Sequence, residues 1–209
     1  MLDSILKISP IVPVVTIKKV EDAVPIAEAL LAGGIGVIEI TLRTEAGLKS
    51  ISEVAKNVSG MTVGAGTISN PEQFKQAAEA GAKFIVSPGL TPKLAQFAQT
   101  QKTAFLPGVA TISEIMNARD YGFRYLKFFP ASIAGGAPAI KQFTSLFSDI
   151  QFCPTGGINL ENMNDYFSIS KVACIGGSWI TPEPLIEAKN WAEIKRLSAD
   201  AISKVKRTK

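Results

Sequence analysis

Histidine is absent from the 209 residues of this chain. That removes the usual general base at neutral pH and the commonest metal ligand. Acid–base chemistry must then come from carboxylate, lysine, tyrosine or bound water. Cysteine is scarce as well: Cys153 and Cys174 are the only two. Their spacing matches no metal motif, and each stands in an apolar, strand-like run that predicts a buried small hydrophobe. No apolar run approaches membrane-spanning length, and residues 1–10 lack the basic start and apolar stretch of a secretory leader. The expected setting is cytoplasmic, without a membrane partner. Nor does one sign of charge dominate. Lysine and arginine number 22 against 18 acidic residues, a net charge of +4 spread along the chain. This balance suits anionic small molecules and is no nucleic-acid footprint. The basic block Lys204-Val205-Lys206-Arg207-Thr208-Lys209 is expected to be a solvated, fraying helix end.

What the chain does have is apolar content, 46% of residues, enough at this length for one well-buried core and short for two domains. Short β-branched runs alternate with amphipathic stretches. Strands are expected at residues 11–17, 36–41, 62–65, 84–86, 104–106, 124–128, 151–154 and 172–175. Helices are expected at 20–31, 45–57, 71–79, from 91–92, after 111, at 138–146, 160–167 and 191–206. Thr91-Pro92 reads as a cap followed by a first-turn proline, and Thr111 with Glu114 has capping-box spacing. Residues 3–8 are expected to form a short helix over the base of the fold. Eight strand–helix units imply a parallel sheet, and in one domain they favour a closed (β/α)8 barrel (TIM barrel) spanning residues 1–209.

In such a barrel the active site lies at the carboxyl ends of the strands. Lys83, Lys102 and Lys171 precede their strands and belong to the opposite face. Lys18 and Lys19 follow the first strand in a hydrated loop. Lys127, in Tyr125-Leu126-Lys127-Phe128-Phe129-Pro130, falls at the productive end of an aromatic strand. Burial disfavours an ammonium, and a neutral amine attacks carbonyl carbon. Lys127 is therefore either an imine-forming nucleophile or a snorkelling edge lysine. Glu39 interrupts the apolar run Val37-Ile38-Glu39-Ile40-Thr41. Alternation puts it on one face with Val37 and Thr41, where it pairs with Lys127 as a proton shuttle or as a structural ion pair. Arg43 either grips a carboxylate or phosphate or lies exposed at the rim. Gly156-Gly157 after strand seven and Gly176-Gly177-Ser178 after strand eight fall in the two loops that form the recurrent barrel phosphate site. Lysine, glutamate, arginine and glycine loops together suit cleavage of a carbon–carbon bond β to a carbonyl, with a protonated imine as electron sink and no metal.

Several segments then resemble one family. Val37-Ile38-Glu39-Ile40-Thr41-Leu42-Arg43-Thr44-Glu45, Val63-Gly64-Ala65-Gly66-Thr67, Ser87-Pro88-Gly89-Leu90, Pro107-Gly108, Lys127-Phe128-Phe129-Pro130-Ala131, Pro154-Thr155-Gly156-Gly157-Ile158 and Ile175-Gly176-Gly177-Ser178-Trp179 resemble the bacterial 2-keto-3-deoxy-6-phosphogluconate (KDPG) aldolases of the KDPG/KHG aldolase family. The match runs in order from about Ile11 to Trp179, and no position with a catalytic role in the family departs from its pattern. The resemblance implies a class I aldolase without a cofactor. Such an enzyme cleaves its phosphorylated keto-sugar acid to pyruvate and glyceraldehyde 3-phosphate in the Entner–Doudoroff route, with side activity on 4-hydroxy-2-oxoglutarate. By motif, the resemblance implies Lys127 as Schiff-base lysine and Glu39 as general acid/base. It implies Arg43 and Thr67 at the pyruvyl carboxylate, Pro88 and Phe129 around the imine, and Thr155 at the substrate hydroxyls. Gly156, Gly157, Gly177 and Ser178 take the phosphate, and the assembly is a homotrimer. Three other readings stay open: an aldolase for the galactonate epimer, a sugar-phosphate isomerase on the same scaffold, and a phosphate-binding module without turnover.

Overall fold

The structure, a computed structural model, describes residues 1–206; residues 207–209 of the basic block lie outside it. The described strands are β1 (Ile11–Val15), β2 (Val37–Thr41), β3 (Thr62–Gly66), β4 (Phe84–Val86), β5 (Ala104–Leu106), β6 (Gly108–Val109), β7 (Tyr125–Phe128), β8 (Gln151–Pro154) and β9 (Ile175–Gly177). The helices are α1 (Leu2–Leu6), α2 (Ala23–Ala32), α3 (Gly47–Asn57), α4 (Pro71–Glu79), α5 (Pro92–Gln99), α6 (Ile112–Asp120), α7 (Gly136–Leu146), α8 (Met163–Phe167), α9 (Glu183–Glu187) and α10 (Trp191–Ser203). Every pairing between these strands is parallel. The architecture is α/β, with a six-stranded sheet in the order β5-β4-β3-β2-β1-β9 and a three-stranded sheet β6-β7-β8.

Local chemistry explains most boundaries. Asn70, Thr91 and Thr111 each accept a hydrogen bond from the backbone three residues on, and Thr111 with Glu114 completes a capping box. Pro71 and Pro92 occupy first-turn positions, where a missing N–H is no loss. β1 and β2 are buried at every residue, as expected of parallel strands covered on both faces. Phe74, Phe84, Phe128 and Phe152 are among the largest fully buried side chains.

One expectation needs correction, and two short elements were not anticipated. The fifth strand stands at Ala104–Leu106 as expected, and β6 follows it after Pro107, which has no N–H for the ladder. Its carbonyl still accepts from Lys127 N at 2.8 Å, and Leu106 O accepts from Ser87 N at 3.2 Å. The eighth strand is not at 172–175 but at Ile175–Gly177; Val172 makes only an isolated bridge to Phe152, and Gly176 one to Thr155. Three steps along one chain thus match four along the other, which is a bulge. The short helix α9 follows β9 and was not anticipated, because Pro182 and Pro184 mask so brief a turn.

Helix α1 sits at the amino-terminal ends of the strands, tied by a 2.5 Å hydrogen bond from Tyr125 Oη to Asp3 Oδ1. Burial, then the bond to Asp3, pushes the Tyr125 phenol up from 10.0 to about 12. The folded state therefore holds the phenolic proton more tightly than the unfolded chain does. Stability from this bond is present below the ordinary tyrosine value and is lost as pH rises through about 12. Tyr125→Phe is expected to flatten this alkaline limb in urea-denaturation curves across that range; an unaltered limb would show that the bond contributes nothing.

Candidate active site

Lys127, near the carboxyl end of β7, meets Glu39, in the middle of β2. Lys127 is 4% exposed and Glu39 3%, and Lys127 Nζ lies 3.4 Å from Glu39 Oε1. A buried pair in contact can pass a proton, which converts ammonium to amine. The ring centroid of Phe129 lies 5.0 Å from Nζ, so alternation along the strand puts both residues on one face. The Phe129–Pro130 peptide is cis. The space for the carboxylate comes from β3, where a Cβ on Gly66 would lie 2.1 Å from Glu39 Oε1. Glycine at that position is what lets a carboxylate stand inside the sheet. Thr41, two residues further along β2, is tied to the residue just past β1 by a 2.9 Å hydrogen bond between its Oγ1 and Thr16 Oγ1.

Arg43 is exposed just past β2, and its Nε donates to Thr67 Oγ1 at 3.2 Å. Thr67 has φ of 63°, a left-handed conformation that costs a β-branched residue about 1–3 kcal/mol and is found mostly at functional sites. Lys189, at φ 52°, is the other described non-glycine residue with positive φ. Ser87 is buried and Pro88 exposed. The Pro88 carbonyl packs on Gly108, whose Cα partner is Lys127.

Beside this pair opens a cavity of about 820 Å³. Arg43, Phe129, Thr155, Gly156, Gly157, Gly177 and Ser178 all line it. Of the expected site residues, Lys127, Glu39, Thr67 and Pro88 do not form its wall. Lys127 and Glu39 adjoin it through Phe129 and Thr67 through Arg43, whereas Pro88 packs against Gly108, the strand partner of Lys127. Gly156 and Gly157 have φ of 99° and 71°, so this pair is a turn that turns its backbone towards the cavity. The second pair is different: Gly176 and Gly177 lie within β9, not in a loop. They are small because Thr155 packs on Gly176 and the Trp179 ring on Gly177.

Sequence reasoning gave no role to Trp179, Thr181, Asp22 or Lys189, all of which line the cavity. Trp179 Nε1 and Thr181 Oγ1 are buried without a hydrogen-bond partner among the described residues. Trp179 had a local signal in Gly176-Gly177-Ser178-Trp179; Asp22 had none, since it reads as an ordinary helix start. Lys18 ion-pairs with Glu183, and with Glu187 at 3.5 Å, joining the loop after β1 to α9 across the mouth. The hydrogen bond to Glu183 holds the Lys18 ammonium above its ordinary value, and the same bond holds the Glu183 carboxyl below its own. Lys18, Lys19, Lys189 and Arg43 outnumber the acidic wall residues Asp22, Glu183 and Glu187, which favours an anionic ligand. Among the described residues no group of three or more potential metal-binding side chains occurs, and no helix is long and apolar enough to cross a membrane.

A parallel α/β fold with an amine and a carboxylate buried together beside an anion-suited cavity is the arrangement that a lyase of the Schiff-base class requires. A family model described as "Aldolase: KDPG and KHG aldolase" matches residues 2–197. The KHG/KDPG aldolase of Escherichia coli K12 is 46% identical over 204 residues, covering 98% of this chain and 96% of that protein. A crystal structure of KDPG aldolase from Legionella pneumophila, with pyruvate captured as a covalent carbinolamine, superposes with a TM-score of 0.95 at 42% identity. It covers 97% of this chain and 98% of that one. The KDPG aldolase of Zymomonas mobilis ZM4 with 3-phosphoglycerate gives a TM-score of 0.93 at 44% identity, over 99% and 97% of the two chains. The chain belongs to the KDPG and KHG aldolase family and is a carbon–carbon lyase.

Proposed function

We propose that the chain is a class I aldolase that cleaves KDPG to pyruvate and glyceraldehyde 3-phosphate, and 4-hydroxy-2-oxoglutarate to pyruvate and glyoxylate. One observation carries this reading: the Lys127 amine is buried 3.4 Å from the Glu39 carboxylate. Glu39 takes a proton from Lys127, and Nζ attacks the C2 carbonyl. The carbinolamine loses water to give a protonated imine. Removal of the C4 hydroxyl proton, by Glu39 or a water it holds, breaks the C3–C4 bond. The electron pair moves into the imine, leaving an enamine and releasing the aldehyde. Protonation at C3 and hydrolysis then return pyruvate and the lysine.

In this reading Arg43 and Thr67 hold the pyruvyl carboxylate, and the strained backbone at Thr67 pre-sets the hydroxyl. Phe129 and Pro88 shape the imine pocket. Thr155 meets the substrate hydroxyls, and Gly156, Gly157, Gly177 and Ser178 take the phosphate. The scaffold is one closed (β/α)8 barrel over residues 1–209. The two bridges between the β8 and β9 segments and the continuity of β5 and β6 through Pro107 support closure. The enzyme is cytoplasmic and a homotrimer; exposed apolar side chains at Met116, Ile133 and Leu146 supply surface for self-association.

Incubation with pyruvate and borohydride tests the chemistry. A single reduced pyruvyl group on the Lys127 peptide is expected. A sugar-phosphate isomerase or a binding module gives no adduct, and absence of label from protein that cleaves KDPG would remove the imine mechanism. Relative kcat/KM for the gluconate- and galactonate-derived substrates separates the epimers, with the gluconate form expected to be preferred. Arg43→Ala should lower kcat/KM by about 10–10²-fold, since a hydrogen bond to a charged group is worth about 1.5–3 kcal/mol. Steady-state kinetics identical to the parent enzyme would take Arg43 out of the site.

A further inference from the structure

Cys153 and Cys174 take no part in the chemistry above, yet their sulfurs touch, 3.2 Å apart. Both are buried, at 3% and 0% exposure. Counted on from Phe152↔Val172, regular pairing leaves them one residue out of step. The bulge between Phe152↔Val172 and Thr155↔Gly176 inserts one extra residue, which carries Cys174 into line with Cys153. Cys153 is the Cα partner of Lys127, and in-register parallel partners share a face. Cys153 therefore stands beside Lys127, and the touching thiols adjoin the site. Cys153 is two residues before Thr155, whose Oγ1 donates to the Cys153 carbonyl at 3.4 Å. Cys174 is two residues before Gly176, on which Thr155 packs.

From this contact we propose that Cys153 and Cys174 are an oxidative modification site, which a small hydroperoxide closes into a disulfide that reversibly arrests turnover. The Cys153 sulfur takes one oxygen as the O–O bond breaks, giving a sulfenic acid and releasing water or an alcohol. The Cys174 sulfur then attacks the Cys153 sulfur. The S–O bond breaks, the S–S bond forms, and the departing hydroxide leaves as water with the Cys174 proton. Two thiols thus lose two protons and two electrons, and one peroxide is reduced. The reactant must be small, because both thiols are buried and neither lines the cavity, whose nearest wall residue along the strand is Thr155. In a reducing compartment the pair stays as thiols, so the disulfide is conditional and not structural. Sulfurs in a disulfide are about 2.05 Å apart, so the two must approach by about 1 Å. That changes the packing beneath Thr155 and Gly176, and misplacement of cavity residues on that scale costs about 10²-fold in rate.

The test exposes the reduced protein to hydrogen peroxide, removes the excess with catalase, and reads intact mass, thiols titrated after denaturation, and KDPG cleavage. The expected result is a mass lower by two hydrogens, no titratable thiol, a Cys153–Cys174 cross-linked peptide, and cleavage reduced about 10²-fold. Dithiothreitol should restore all of these. Cys174→Ser and Cys174→Ala should keep their cleavage rate through the same exposure; if both fold poorly, the wild-type cross-link and its reversal decide. Surviving thiols, added oxygen in place of lost hydrogen, undiminished cleavage by cross-linked protein, or equal inactivation of folded Cys174 variants overturns the proposal. Mass and thiol readings do not depend on the aldolase assignment. Failure of the disulfide leaves pyruvate trapping on Lys127 unaffected.

Discussion

Lys127→Ala is expected to lower kcat by about 10⁶-fold, the scale on which loss of a covalent nucleophile acts, and to abolish pyruvate labelling by borohydride. The reason is electronic. Breaking the C3–C4 bond needs an acceptor for its electron pair, and without the amine no protonated imine forms. The substitution also leaves the buried Glu39 carboxylate without its counter-ion, and breaking such a pair costs about 3–5 kcal/mol when the remaining charge stays buried. Thermal unfolding must therefore show folded protein at the assay temperature. Lys127→Arg separates the two effects. It keeps a cation beside Glu39, yet guanidinium stays protonated and cannot attack. It should melt above the alanine variant and be equally inactive. Substantial turnover by folded protein of either kind would end the case for imine catalysis at this position.

Glu39→Gln is expected to slow cleavage by about 10²–10⁴-fold, the range for removal of a general acid–base group, while still allowing some imine to form. Glutamine has nearly the size of glutamate, so it fits the space that Gly66 leaves. The geometry persists and the proton carrier is lost. Exchange of the pyruvate methyl hydrogens in deuterium oxide isolates the step at C3 from aldehyde release. Exchange should fall together with cleavage, and borohydride labelling of Lys127 should fall less than either. Equal exchange rates in variant and parent would leave Glu39 as a structural partner of Lys127 only.

How legible was this protein from its chain? The helix caps at Thr91 and Thr111 were plain, because a side-chain oxygen and the backbone three residues on are all that such a cap requires. Lys127 and Glu39 stood out for an equally local reason: each puts a charge inside an apolar run where alternation aims it inward. The extra strand at Gly108–Val109 and the shift of the last strand to Ile175–Gly177 were less visible, since both depend on which carbonyl a neighbouring strand presents. The Gly176-Gly177 pair resembled a phosphate loop in sequence. Within the fold it is strand, kept small by the Thr155 and Trp179 side chains, and no linear pattern encodes that contact.

Periodicity and single out-of-place charges thus specified the alternating parallel architecture and the two residues on which the chemistry turns, because both are properties of neighbours a few positions apart. Packing alone settled the 3.4 Å approach of Lys127 to Glu39, the Lys18–Glu183 link across the mouth and the touching sulfurs of Cys153 and Cys174. Each joins residues on different elements, and their separation is set by strand register and by the space that glycines such as Gly66 leave.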